Sequence, residues 1–212
     1  MNTTMIIESL AAVQRAIHAN ESEIESLDRA IGDGDHFINI RRGCEVLVGM
    51  SDQLPDLPPS QALQKIGMKL LGTIGGASGP LISSFFLAMG KSLEGHAEPD
   101  RRQFAAAFAA GVEAIKARGK ADVGEKTMLD VLIPVSRLLA KLADEEAPLD
   151  ALCAQLRSEA TLNMLATRDM IATKGRAYFL GERAVGHIDP GSKTCEVAIG
   201  AVCDVVLQVE LQ

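Results

Sequence analysis

The chain has 212 residues, 47% of them hydrophobic, and sets 21 Lys and Arg against 28 Asp and Glu for a net charge of −7. That is enough apolar material for one full core, and an acidic balance with no run of basic residues argues against a nucleic-acid partner. The opening Met1–Ile7 lacks the basic start and long apolar run of a signal peptide, and no later stretch is apolar enough to span a bilayer, so a cytoplasmic protein with no membrane attachment is expected.

Apolar residues at 6, 10, 13, 17, 24, 27 and 31 recur in three- and four-residue steps and predict one long N-terminal helix, with Asp28 at the edge of its apolar face. Ile40, Cys44, Leu47 and Val48 mark a second helix, and the proline-rich stretch 51–59 breaks the chain. Ala62, Leu63, Ile66 and Leu70 give a third, stopping in the glycine-rich run 72–80. Ser78 and Pro80 are suited to the first turn of a fourth. Phe104, Phe108, Val112 and Ile115 form a fifth, closed by Gly119; a sixth runs from about Thr127 to Leu142 with a kink at Pro134. Leu149 through Ile171 supply a seventh. The segment 174–190 has no helical period, and a loop of that length is more often functional than filler. Valine-rich Cys195–Leu211 has strand propensity, but a strand there would have no partner, and it is read as helix. The expectation is an all-α fold over 1–212, one domain of about eight helices.

Cys44, Cys153, Cys195 and Cys203 are scattered without a Cys-x-x-Cys pair and read as reduced core thiols. The absence of Trp and the single Tyr178 leave aliphatic side chains as the material for holding a base.

The chemistry concentrates at Asp28-Arg29-Ala30-Ile31-Gly32-Asp33-Gly34-Asp35-His36. The glycines let the backbone curl so that Asp33 and Asp35 point the same way, and three converging carboxylates suit Mg²⁺, a hard ion that keeps positions for phosphate oxygens. The same spacing also suits a solvated acidic turn. Gly75-Gly76-Ala77-Ser78-Gly79-Pro80 joins two helices with small residues, as an anion cradle at a helix N-terminus or as a tight corner would, and it is not a Walker A loop. Lys120–Lys126, leading to Thr127, reads alone as a solvated turn with a threonine cap. Arg176 offers a planar donor fork. His18 and His96 read as surface residues.

Together DRAIGDGDH (28–36), GGASGP (75–80), RGKADVGEKTMLD (118–130) and KGRAYFLGERAVGHIDPG (174–191) resemble the nucleotide-binding L subunit of bacterial dihydroxyacetone kinase, the DhaL family, in order and spacing. The resemblance implies an eight-helix barrel holding ADP or ATP at one end, with Asp28, Asp33 and Asp35 on two Mg²⁺ ions. It places His36, Ile38, Asn39, Ala77 and Ser78 at the phosphates. Gly119 and Met128 fall along the adenine pocket, and Arg176, Asp189, Pro190 and Gly191 in a closing loop, with Arg176 as the transition-state charge stabiliser. It further implies a separate K subunit that carries the ketose covalently on its own histidine, and a phosphotransferase-system phosphohistidine protein that recharges ADP in place. No nucleophile or general base is then needed in this chain. A subunit that exchanges ATP directly, and a nucleotide-bound regulatory module docking on a transcription factor, are the competing readings; a homodimer is compatible with each. Many relatives carry glycine after the histidine. Phe37 stands there in this chain, which places a large side chain at the barrel rim, where it packs or else reshapes the approach of the partner.

Overall fold

The computed structural model of the chain describes residues 2–76 and 78–210, Glu210 without its side chain. Its α-helices are α1 Thr3–Ala19, α2 Glu21–Ile31, α3 His36–Val48, α4 Pro59–Leu71, α5 Ser78–Ser92, α6 Arg101–Gly119, α7 Leu129–Asp144, α8 Leu149–Ala166 and α9 Pro190–Glu210, with short 3-10 turns between some of them. No strand occurs among the described residues. Helices α3 to α9 each pack on the next, α9 packs on α1, and α1 on α3, so eight helices close a ring. The remaining helix, α2, lies against α3 and α9.

The single N-terminal helix expected from periodicity is two. Asn20 leaves the helical region at φ −105°, ψ 12°, and its side-chain amide donates to the Ala16 carbonyl at 2.8 Å, the competition with the helix ladder that short amide side chains offer. The apolar stripe continues across the break because Ile17, Ile24 and Ile31 all reach the core. The seventh predicted helix ends at Ala166, not Ile171, and passes into a 3-10 turn, Thr167–Asp169. The segment without helical period contains a 3-10 stretch, Arg176–Ala184, interrupted at Gly181. The last helix starts five residues earlier than its apolar pattern does, because Asp189 caps it: its carboxylate accepts the Ser192 N–H at 2.7 Å, and Pro190 opens the first turn. Helix α7 continues through Pro134.

Apolar side chains fill the ring from both sides. One cluster joins α7, α8 and α9 through Val135, Leu139, Leu156 and Cys203. Another joins α1, α3, α4, α5 and α6 through Ile6, Leu47, Ile66, Met89 and Ala107. Phe104 and Phe108 pack against both, with Phe108 edge-on to Phe85 at 5.4 Å. Phe37 is not at a rim: it is 1% exposed and packs with Ile17, Ile24, Ile40 and Val197. The physical reason is helical spacing, since 37, 40, 44 and 47 share one face of α3. No described helix is long and apolar enough to cross a membrane.

Candidate functional site

At one end of the ring a cavity of about 530 Å³ opens among the ends of α2 and α6, the starts of α3, α5, α7 and α9, and the segment 174–177. Asp28 sits in the last turn of α2 and is buried, 4% exposed. Its Oδ2 accepts the His36 N–H at 2.9 Å, which ties the end of α2 to the start of α3. Gly32 is required by this approach, for a Cβ there would fall 1.8 Å from Asp28 Oδ1. Gly34 turns the chain at φ +81°, and Asp33 and Asp35 on either side of it come to face Asp28, with one oxygen of each of the three within 4.8 Å of the others.

Three carboxylates so close are a frustrated arrangement for protein atoms alone. Partial desolvation raises the Asp35 carboxyl above its ordinary value, and a hydrogen bond and charge repulsion from Asp33 add to it, opposed by a bond to Asn39. Among the described residues this group makes one ion pair, Arg176 Nε to Asp33 Oδ2 at 2.8 Å. Hard oxygen donors, clustered and only partly neutralised, fit a divalent cation such as Mg²⁺.

The opposite charge preference comes from backbone. His36, Ser78 and Pro190 begin α3, α5 and α9, and all three line the cavity. Each helix N-terminus presents N–H groups without carbonyl partners in its own ladder and the positive end of its dipole, so three of them converge where an anion would lie. His36 is held from behind: its Nε2 lies 2.8 Å from Thr194 Oγ1, and that hydroxyl donates to the Pro190 carbonyl at 2.9 Å. With the hydroxyl proton so engaged, Thr194 accepts from Nε2–H, which leaves Nδ1 for other contacts. Burial lowers the His36 pKa, against Asp28, Asp35 and Asp33, which raise it.

Away from the acids the wall is aliphatic: Pro80, Leu81, Ile115, Met128 and Leu129 line it together with Gly119 and Ala121. Such a slot accepts a flat apolar ring by area burial without aromatic stacking. Gly191 lines the cavity beside Met128, where a Cβ would lie in ordinary contact with Met128 Cβ at 3.5 Å.

Of the residues singled out by sequence, Asp28, Asp33, Asp35, His36, Asn39, Ser78, Gly119, Met128, Arg176, Asp189, Pro190 and Gly191 line this one cavity. Ile38 does not line it and is 45% exposed. Ala77 lies outside the described residues. The sequence reading missed Lys126, which is no part of a solvated turn: it is 1% exposed and lines the cavity. It also missed Asp130, buried at 2%, whose carboxylate accepts the N–H groups of Gly124 and Thr127 and so shapes that loop. Arg118 lay within the matching stretch 118–130 but was assigned no role, and Thr194 was unmarked because nothing local distinguishes it; a threonine four residues into a helix acquires meaning only from the histidine 158 residues away.

Comparison with known proteins places this geometry. The family model described as the DAK2 domain matches residues 30–204. The PTS-dependent dihydroxyacetone kinase ADP-binding subunit DhaL of Lactococcus lactis is 38% identical over 200 residues, covering 94% of this chain and 96% of that one. The PEP-dependent dihydroxyacetone kinase ADP-binding subunit DhaL of Escherichia coli is 36% identical over 177 residues, 83% of this chain and 84% of its own. Among solved structures, the dihydroxyacetone kinase of C. freundii in complex with AMP-PNP and Mg²⁺ superposes with a TM-score of 0.74 at 26% identity over 95% of this chain. The chain spans about a third of that kinase's length, 34%. With a family model matched over most of its residues and two subunits of similar length this alike, the chain belongs to the DAK2 domain family, in its DhaL branch of dihydroxyacetone kinase subunits.

Proposed function

We propose that this chain is the cytoplasmic phosphoryl-transfer subunit of a dihydroxyacetone-type kinase: it holds an adenine nucleotide with Mg²⁺ in the cavity and passes the terminal phosphoryl group to a ketose carried by a separate K subunit. The observation that carries the reading is the convergence of three carboxylates and three helix N-termini on one cavity with an aliphatic slot behind them. On this reading two Mg²⁺ ions would be held by the three aspartates, with Asp28 fixed by His36 N–H and Asp33 and Asp35 at the open side. Bound there, they would neutralise the phosphate oxygens through a loose, metaphosphate-like transition state.

The chain's own groups do the positioning. The N-termini of α3, α5 and α9 donate to phosphate oxygens, and Pro80, Leu81, Ile115 and Met128 grip the base. Arg176, 2.8 Å from Asp33, stands where a planar cation meets charge that grows during transfer. The ketose hydroxyl oxygen forms the new bond to phosphorus while the bond to the bridging oxygen of the nucleotide breaks, and the hydroxyl proton leaves to a base on the K subunit. On this reading no side chain of the chain needs to act as a nucleophile or a base. The designations of the similar subunits as PTS- or PEP-dependent support recharging of retained ADP by a phosphohistidine protein.

Purified chain with Mg²⁺ and ATP should give no ketose phosphate by mass spectrometry, and product should appear when a K subunit is added. Robust product from the chain alone would overturn the assignment in favour of a self-contained kinase.

A further inference from the structure

Lys126 presents a problem that its neighbours solve. Its ammonium is buried in a residue 1% exposed, its backbone is left-handed at φ 60°, and a buried cation is costly unless its protons find acceptors. Nζ donates to Thr167 O at 2.5 Å and His187 O at 2.5 Å, with Arg168 O at 3.5 Å. All three acceptors are backbone carbonyls, so the side chain acts on chain path rather than pairing with one carboxylate. Its three protons are engaged there, which removes it from direct contact with a phosphate.

The carbonyls belong to two places: the 3-10 turn after α8, and the residue two before the Asp189 cap of α9. These places are also joined to each other, since Asp189 N–H donates to Thr167 Oγ1 at 3.0 Å and Gly186 N–H to Arg168 O at 2.8 Å. The preceding residue grips the other side of the same segment. Glu125 O accepts Thr173 N–H at 3.3 Å, and its carboxylate accepts the Thr173 hydroxyl at 2.9 Å. Between Thr173 and His187 lies the stretch that carries Arg176 to Asp33. On the other side Thr127 and Met128 follow directly into the cavity wall.

We infer that Glu125 and Lys126 form a brace holding both ends of segment 173–187, and that Lys126 is a positioning residue that keeps Arg176 over the acidic cluster and slows the escape of nucleotide. The inference rests on the nucleotide reading of the cavity. It is distinct from a plain stabilising role because the brace acts on one segment and not on the ring of helices.

The test uses the full chain with N-methylanthraniloyl-ADP and Mg²⁺. Dissociation is followed by stopped-flow chase with unlabelled ADP, and amide hydrogen exchange is mapped on the same samples. Absence of binding by the wild type would sink the nucleotide reading itself and leave the brace without a role. With the wild type binding, Lys126→Met should release nucleotide about tenfold faster or more, with faster exchange confined to residues 167–187. Release within twofold of wild type, or exchange accelerated equally across α4, α5 and α6, would overturn the inference. Should Lys126→Met fail to fold, Thr173→Val decides: it removes the Glu125 hydroxyl tie at an exposed position and should speed release about threefold, whereas an unchanged rate refutes the brace.

Discussion

Gly32→Ala is the sharpest probe of the acidic cluster because it adds one methyl group and strains no backbone angle, φ being −116°. The new Cβ would lie 1.8 Å from Asp28 Oδ1, 2.9 Å from Asp28 Cγ and 2.8 Å from the Asp28 carbonyl oxygen, where real contacts stay beyond 3.0 Å. The carboxylate therefore has to retreat by roughly 1 Å, several times the ~0.2 Å tolerance of a metal–ligand distance. Moving it also breaks the charge-assisted bond from His36 N–H, a loss of about 1.5–3 kcal/mol. At about 2–4 °C per kcal/mol for a chain of this size, the ligand-free protein should melt several degrees lower. Nucleotide retention after desalting with Mg²⁺ should fall by about one to two orders of magnitude, the usual cost of misplacing a metal ligand's support. Calorimetric melting with and without Mg²⁺ and ADP, alongside mass-spectrometric quantitation of retained ADP, measures both. A variant that keeps wild-type retention and melting would show that Asp28 does not occupy the place from which the cluster is argued.

Phe37→Ala should destabilise the protein by about 3–5 kcal/mol through the cavity left among Ile17, Ile24, Ile40 and Val197; denaturant unfolding reads this, and an unchanged midpoint with altered dependence of rate on K-subunit concentration would return Phe37 to the rim. Arg176→Ala should slow phosphoryl transfer about a hundredfold while weakening ADP binding far less, and Arg176→Lys should recover only part of the rate because it lacks the planar fork; equal losses in rate and affinity would make Arg176 a binding residue only. Burial pushes the Asp189 carboxyl up to about 6 from an ordinary 3.8, against the Ser192 bonds that lower it. A folded pKa above the unfolded one means that the folded state binds the extra proton, so this contribution is present below about pH 4 and is lost as pH rises through 6. The melting advantage of wild type over Asp189→Asn should therefore shrink between pH 4 and 7, and an advantage that grows over that range would contradict the assignment.

What the sequence disclosed follows from how local each feature is. Asp28, Asp33 and Asp35 lie within eight residues, so the glycines between them and the helix end before them already determine that they meet. Most of the helices were legible from their own apolar period, while their closing into a ring was what the family resemblance implied; the uncounted ninth arose at Asn20, where a side-chain bond to Ala16 ends a helix without interrupting the stripe. Phe37 was within reach too, because its spacing to Ile40, Cys44 and Leu47 marks the core face of α3. Lys126 was not. Set between Glu125 and Thr127 in a polar stretch, it has every local mark of a solvated turn, and its meaning comes from carbonyls 41 and 61 residues further along.

That difference bears on how an acidic chain holds polyphosphate at all. The charges that would face phosphate here are mostly backbone dipoles at three helix ends, which composition does not count, and carboxylates that favour phosphate only through a shared cation. A net charge of −7 is therefore no argument against a phosphate ligand; it excludes only a surface that binds phosphate by basic side chains. Two of the basic groups that line the cavity show the difference, with Arg176 turned to the acidic cluster and Lys126 turned into the protein, where its charge shapes the wall instead of meeting the ligand.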